Sequence, residues 1–296
     1  MKCAAQGCVF GAKMLAAGVL TALCAGMLSA GSAMAAPATS IISAGAELLQ
    51  PHRAIYTLKL ETAEAATDIG SIEGRMVLEW RGGPGCDGYT VTQRVVTRIS
   101  DTDGTLTTRD MRHHSWESIQ GDIFRFGFDQ YVNGRLAGRV SGTATRKKGA
   151  GRAVFSSPAG TELLLPDDVV FPSEFTVELL EAASRGERTV SRSIFEGAES
   201  DRRFDVTAFI GEAGTTPDDA GAADIEEGKG LALTGMKTWP VHMSYFDPKT
   251  ADGLPSYEVS YWLFENGISA SLLMDYGGFV LRGDLDALVY FDPDDC

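Results

Sequence analysis

The cysteines are the residues of this chain whose types and spacing predict the most definite chemistry. Three of the five lie in an N-terminal stretch that has the character of an export signal: Cys3, Cys8 and Cys24. The other two are Cys86, within the turn-like run 82–88, and Cys296, the last residue. Two cysteines remaining in an exported chain predict a single disulfide. Because Cys86 has no second cysteine nearby with which to exchange, we expect Cys86–Cys296 to be a structural bond.

The histidines and serines form no known catalytic or metal-binding motif. His113 and His114 are adjacent in a strand pattern, so their side chains should point to opposite faces and could not easily share one metal ion. No His-Glu-x-x-His, Cys-x-x-Cys or Gly-x-Ser-x-Gly motif occurs, and Ser141 lies inside a strand pattern. His52 and His242 are the other imidazole bases. A hydrolytic triad that uses one of the four histidines stays an open alternative, but no sequence feature indicates which residues would form it. We predict no catalytic residue, no cofactor and no metal site.

Two acidic segments could be considered for calcium. The run from Asp101 to Gly104 resembles the start of a calcium loop, but Arg112 stands where the loop needs a bidentate glutamate. A hairpin turn is therefore the better interpretation. Residues 211–230 combine acidic side chains with Gly, Ala and Thr and lack spaced ligands, which predicts a mobile, solvated loop.

The first 35 residues are predicted to be a signal peptide. Lys2 and Lys13 precede an uncharged stretch, and Ala33 and Ala35 supply the small residues before a cleavage point. An uncleaved anchor is the alternative, although the apolar stretch is short for a membrane span. Lipid attachment at Cys24 is rejected because Leu23 is too large for lipoprotein processing. We expect cleavage after Ala35 and a periplasmic protein.

The charge of the chain argues against two classes of partner. The whole chain carries a net charge of −14, and loss of the leader's two lysines leaves 24 basic against 40 acidic residues, or −16. Such a chain is repelled by nucleic acid and by anionic lipid surfaces. We therefore expect no nucleic-acid binding. No other segment approaches transmembrane length, so we also expect no membrane span after cleavage.

Alternation of apolar and polar residues dominates residues 36–296. The twelve strands it predicts are 53–61, 72–80, 89–100, 105–118, 122–131, 135–146, 188–195, 203–210, 236–246, 256–264, 268–275 and 279–291. Asn133-Gly134 and Asn266-Gly267 are typical of the turns that join such strands. The pattern predicts a single all-β domain, an antiparallel meander curled into a spiral or half-open barrel.

One helix interrupts the strands. It should begin near Phe171-Pro172 with Ser173 as its N-cap, and it should end at Gly186. A second, weaker helix is predicted over 41–49. In an all-β chain, a single amphipathic helix commonly closes one end of a barrel or packs across its open face.

Several short stretches, in this order and spacing, are similar to one known family. They are His52-Arg53-Ala54-Ile55-Tyr56, Trp116-Glu117-Ser118, Phe171-Pro172, Gly186-Glu187-Arg188, Trp239-Pro240-Val241, Tyr257-Glu258-Val259, Phe264-Glu265-Asn266-Gly267 and Asp275-Tyr276-Gly277. Over nearly all of 45–296 the chain resembles the cell-envelope integrity protein B family of alphaproteobacteria, long known only as a domain of unknown function. The resemblance implies a periplasmic β-spiral with a helix against an open barrel. It also implies a disulfide at the positions of Cys86 and Cys296.

Two functions follow as hypotheses. The resemblance implies a non-enzymatic protein that maintains the cell envelope, through a protein partner that could be of the helical-repeat type. The alternative is a carrier or chaperone that holds lipid or lipoprotein against the apolar lining of the barrel. That lining includes Trp80, Trp116, Trp239 and Trp262, and plain core is the better interpretation of it, because a barrel of this size needs filling.

Overall fold

The computed structural model describes residues 49–83, 85–147, 150–215, 224–225, 233, 235–250, 252–293 and 296. Within these residues the chain forms seventeen strands, one α-helix and a short 3-10 turn at Ala65–Thr67. The first nine strands are β1 (His52–Ala63), β2 (Ile69–Arg81), β3 (Gly88–Asp101), β4 (Leu106–Ser118), β5 (Ile123–Val132), β6 (Arg135–Lys147), β7 (Ala150–Ser157), β8 (Glu162–Leu165) and β9 (Val169–Val170). After them come α1 (Pro172–Ser184), β10 (Thr189–Ile194), β11 (Phe204–Ile210), β12 (Gly214–Thr215), β13 (Asp224–Ile225), β14 (Lys237–Phe246), β15 (Tyr257–Phe264), β16 (Ser269–Asp275) and β17 (Phe279–Tyr290).

All seventeen strands belong to one sheet, and its long path is almost closed. From β1 the antiparallel pairings run through β2 to β8 in one direction. In the other direction they run through β17, β16, β15, β14, β11 and β10, which pairs in parallel with β9. Since β8 and β9 are separated by only residues 166–168, the two ends of the path meet. The predicted all-β, half-open barrel is therefore confirmed.

Each of the twelve predicted strands matches a strand of the structure. Five shorter strands, β7, β8, β9, β12 and β13, were not predicted. Two of these lie inside the acidic segment 211–230, where β12 pairs with β14 and β13 runs parallel to β17. The segment was expected to hold no strand, so this expectation was wrong for its described residues.

The predicted helix is present, but its predicted N-cap was wrong. Phe171 occupies the cap position and Pro172 the first helical position, so Ser173 lies one residue inside the helix. The end agrees with the prediction. Gly186 adopts a φ of +77°, and Glu187 N–H donates to the carbonyl of Ala182 over 2.9 Å, as in a Schellman motif.

Helix α1 and an aromatic cluster fill two parts of the barrel. Most of α1 is buried, and its apolar side chains pack against β10, β11, β14 and β15. Beside the start of α1 lie five phenyl rings, which we call the phenyl cluster: Phe124, Phe126, Phe155, Phe171 and Phe195. Neighbouring rings in the cluster lie 5.1–6.3 Å apart. The helix is thereby fixed against the inside of the sheet.

The signal peptide predicted over 1–35 and residues 41–48 of the second helix lie outside the described residues. So does most of the acidic segment, including residues 216–223 and 226–230. Where the structure describes the chain, α1 is the sole α-helix, and it is too short to cross a membrane.

Candidate functional site

The inner face of the sheet is the face that meets α1. On β14 it carries Trp239, Val241, Met243 and Tyr245, all buried against the helix side of the core. Strand pairing carries this face around the barrel: Met243 lies opposite Val259, and Val259 lies opposite Met274. The same face continues on β1 to β5.

Part of the inner face carries apolar side chains that are only half-buried. Seven such residues define what we call the lumen: Leu78, Val95, Met111, Phe128, Val259, Tyr261 and Met274. All of them except Met111 and Phe128 also pack against the buried core, so the lumen is a partly exposed margin of the filled interior.

Glu117 of β4 holds the start of α1 in place. Its carboxylate accepts the backbone N–H of Ser173 over 2.8 Å and that of Glu174 over 3.0 Å. The residue is only 1 % exposed. A helix N-terminus presents unpaired N–H groups and a partial positive charge, which this carboxylate satisfies. Burial nevertheless dominates and raises the pKa of Glu117 to about 7.

Arg146 of β6 fixes the same helix start from another side. Its guanidinium pairs with the Glu174 carboxylate over 2.7 Å and lies 5.4 Å from the centre of the Phe171 ring. Strand β4 and strand β6 are thus both tied to the first turn of α1. The helix could not move without breaking these buried polar contacts.

A second acidic group, Glu196, lies at the edge of the lumen. It lies two residues after the end of β10 and is half-buried. The hydroxyl of Tyr257 donates to its Oε2 over 3.2 Å. Burial raises the pKa of Glu196 to about 7, and the nearby charge of Glu199 acts in the same direction. Nothing in the sequence indicated this enclosed carboxylate, because only the fold brings the segment after β10 next to β15.

The adjacent histidines lie on opposite faces, as predicted. His113 is half-buried on the inner face and interacts with the backbone of Glu196, and burial lowers its pKa to about 4. His114 is exposed on the outer face, where its ring covers Gly127. The two imidazoles are thus directed away from each other. Among the described residues, no group of three or more potential metal ligands comes together.

Asp101 forms a hairpin turn between β3 and β4, as predicted. Its Oδ1 accepts the backbone N–H groups of Asp103 over 3.1 Å and of Thr105 over 2.7 Å. Gly104 follows with a φ of +84°. The carboxylate thus supports its own turn. Ser141, the other candidate, is an ordinary residue of β6, opposite Gly127 and Ser157.

His242 has partners that sequence reasoning did not find. Its Nδ1 lies 2.8 Å from the Ser260 hydroxyl, and its Nε2 lies 3.1 Å from the Glu258 carboxylate. A serine, a histidine and a glutamate are the residue types of a hydrolytic triad. However, the group lies on the outer face, and the backbone of β15 on either side is engaged in pairing with β14. Those backbone N–H groups therefore do not form a preorganised pair of donors for an oxyanion.

Cys86 and Cys296 lie next to each other in the fold. The structure joins their sulfur atoms, and their Cα atoms are 5.6 Å apart. The tail before Cys296 is also held by Phe291, whose N–H donates to Pro51 and whose ring lies 4.0 Å from the Arg81 guanidinium. That the disulfide forms in the cell remains a prediction.

Comparison with known proteins places this architecture in a family. The EipB-like family matches residues 43–292. The chain is 34 % identical to the cell envelope integrity protein EipB of Brucella abortus (strain 2308), over 89 % of this chain and 90 % of that protein. A crystal structure of a β-barrel-like protein of a domain of unknown function, also from Brucella abortus, superposes with a TM-score of 0.76. That structure has 33 % sequence identity and covers 82 % of this chain and 99 % of the other. The chain belongs to the EipB-like family.

Proposed function

We propose that this protein maintains the integrity of the cell envelope, and that it does so in the periplasm without catalysing a reaction. The observation that carries the proposal is the 34 % identity, over 89 % of the chain, to a protein named for cell envelope integrity. The leader-like first 35 residues support the compartment, as do two cysteines whose sulfur atoms meet.

The proposed mode of action is binding to another periplasmic protein. The chain is acidic overall, and the backbone N–H groups beside its potential triad are occupied in strand pairing. The proposed partner is of the helical-repeat type, as the family resemblance implies. A basic surface on that partner would complement the net charge of −16 that the chain has after loss of residues 1–35.

Crosslinking in intact cells tests this proposal. The tagged protein, purified after crosslinking of the periplasm, should carry one dominant protein partner. The same tag on an unrelated exported protein is the control. Recovery of no partner, or of the same proteins as the control, would contradict the interaction model.

A second candidate function, a carrier of lipid or lipoprotein, is favoured by one observation. The lumen side chains are apolar yet only half-buried, so an acyl chain could cover them. Native mass spectrometry of protein purified from cells should then show bound lipid. Protein that carries no lipid and also fails to bind a fluorescent fatty acid would rule out this function.

A further inference from the structure

One edge of the sheet is open along the first half of β10. Strand β9 covers only the last two residues of β10. The backbone groups of an antiparallel strand point alternately to its two neighbours. Because the N–H of Ile210 donates to the carbonyl of Arg188, the even-numbered residues of β10 face β11 and the odd-numbered ones face the opposite edge. Thr189 and Ser191 therefore direct their backbone groups to an edge on which the described part of the chain places no strand.

These backbone groups are almost entirely unpaired. The guanidinium of Arg192 donates to the carbonyl of Ser191 over 2.9 Å. The N–H of Ser191 and both backbone groups of Thr189 have no hydrogen-bond partner among the described residues, and both residues are exposed. On the outer face, directly opposite Thr189, Phe209 is 53 % exposed. An open edge of this kind is a template for pairing with a further extended strand.

A cavity of about 160 Å³ lies between this edge and α1. Residues 189–192 line it on the strand side. On the helix side it is lined by Glu178, Glu181 and Arg185, whose spacing of three and four residues places them on one face, and the loop after the helix adds Glu187. A cavity of about 150 Å³ accommodates a molecule the size of benzene, so there is room for one side chain of an added strand.

The lining of this cavity is acidic on balance. Arg185 pairs with Glu187 over 2.7 Å and with Glu181 over the longer distance of 3.4 Å. Glu178 is 7 % exposed and pairs with Arg192 over 2.8 Å. Burial raises the pKa of Glu178, Arg192 opposes that shift, and the nearby charge of Glu181 adds to it. Three carboxylates thus share two guanidinium groups, and a basic side chain in the cavity would reduce the repulsion between Glu178 and Glu181.

We propose that the open edge of β10, at Thr189 and Ser191, is a docking site for an extended, basic segment of a partner protein. The segment would add a strand beside β10 and place one basic side chain in the cavity, next to Glu181. The proposal rests on the proposed binding of a periplasmic protein and adds the way in which that partner is held. Charge favours a segment of another protein over a second copy of this acidic chain, because like charges repel.

Fluorescence anisotropy with labelled peptides and the purified protein tests the proposal. The probe is the blocked peptide Thr-Val-Lys-Val-Thr, whose β-branched residues favour an extended strand. A second peptide has Glu in place of Lys and tests the charge. A third peptide is methylated at its central backbone nitrogens, so it keeps the side chains but cannot donate the pairing hydrogen bonds.

We expect the lysine peptide to bind at least about tenfold more tightly than the methylated peptide and severalfold more tightly than the glutamate peptide. Equal affinity for the lysine and methylated peptides, or no binding of either, would overturn the strand pairing. Glu181→Gln should reduce the preference for lysine over glutamate. An unchanged preference in that variant would contradict the role of the cavity.

Ser191→Pro tests the edge itself. It removes the open N–H and leaves the pairing with β11 in place, so it should weaken binding of the lysine peptide at least about fivefold. Leu164→Pro is the matched control. Among the described strands β8 pairs only with β7, and the N–H of the exposed Leu164 likewise faces an open edge. Weaker binding in Leu164→Pro and not in Ser191→Pro would place the peptide on β8 and overturn the proposal.

Amide resonances of the wild type keep the proposal testable if Ser191→Pro does not fold. On addition of the lysine peptide, the N–H signals of Thr189 and Ser191 should shift in the NMR spectrum more than that of Leu164. No shift at Thr189 and Ser191 would overturn the proposal. A dimer that Ser191→Pro dissociates would assign the edge to a second copy instead.

Crosslinking in cells separates this proposal from the function on which it rests. The yield of the dominant crosslinked partner should fall in Ser191→Pro and not in Leu164→Pro. An equal yield in both variants and the wild type would keep the proposed function and overturn the docking edge. Recovery of no partner by the wild type would contradict the proposed function itself.

Discussion

The carboxylate of Glu117 accepts the backbone N–H of Ser173 over 2.8 Å, although 56 residues separate them in the chain. Because Glu117 lies on β4 and Ser173 in the first turn of α1, this hydrogen bond fixes the helix inside the barrel. It acts together with the second Glu117 hydrogen bond, to Glu174 N–H, and with the Arg146–Glu174 ion pair, which hold the same turn.

Glu117→Gln should lower the free energy of unfolding by about 2 kcal/mol. The amide offers one acceptor oxygen, and its NH2 group would face a backbone N–H. Urea denaturation followed by tryptophan fluorescence measures the change. Glu79→Gln is the control, since Glu79 pairs with Arg53 at the surface and its loss should change stability by less than about 0.5 kcal/mol. Equal effects of the two substitutions would contradict the role of Glu117.

The stability of the wild type relative to that of Glu117→Gln should fall as pH rises from about 4.5 to about 7. Burial raises the pKa of Glu117 from 4.5 to about 7, so in this range the folded protein holds a proton that the unfolded chain has released. The slope from one such proton is at most about 1.4 kcal/mol per pH unit. Glu117→Gln should lack this contribution, whereas Glu196, His113 and His52 contribute equally to both proteins. Parallel pH profiles for the two proteins would show that Glu117 does not titrate in this way.

Gly197→Ala should cost more stability than Gly160→Ala. Both glycines have a positive φ, +71° and +77°, so alanine is strained at both by about 1 kcal/mol. At Gly197, however, a Cβ would overlap the Phe126 ring of the phenyl cluster, whereas at Gly160 no atom lies within 4 Å. We expect a further loss of about 2 kcal/mol for Gly197→Ala, measured by urea denaturation. A difference close to zero would mean that the phenyl cluster can adapt to the added methyl group.

Cys86→Ser and Cys296→Ser should each lower the melting temperature by several degrees. The bond joins residues 210 apart, and chain entropy alone gives an upper figure of roughly 5 kcal/mol for such a ring. The double variant should be no less stable than either single variant, and all three should have a protease-sensitive tail. Two free thiols in unreduced protein from the periplasm, detected by mass spectrometry, would contradict both the pairing and the compartment.

Much of the fold could be predicted because the alternation of apolar and polar side chains indicates each strand locally. In β2, Ile72 and Met76 are buried and Glu73 is exposed, and the sequence shows this contrast directly. Strand β7 was missed for the opposite reason. Ala153 is fully buried and Val154 is 44 % exposed, so the pattern of apolar residues does not follow burial there.

The candidate site could be predicted only in part, because its contacts join distant segments. The sequence places Tyr257 and Glu196 in separate strands or loops, and nothing in either segment indicates the hydrogen bond between them. Likewise, Ser173 was chosen as N-cap on residue type, whereas Pro172 fixes the first helical position and Glu117 supplies the acceptor. Long-range partners of this kind follow from strand register, which local patterns do not determine.

The central claim, an exported protein that keeps the envelope intact, is tested most directly in cells that lack its gene. Survival on a membrane-disrupting detergent is compared after return of the full chain, of a chain without residues 1–35, and of an empty vector. We predict that deletion lowers survival by at least about tenfold and that only the full chain restores it. Equal survival with and without the gene, or rescue by the leaderless chain, would contradict the proposed function or its compartment.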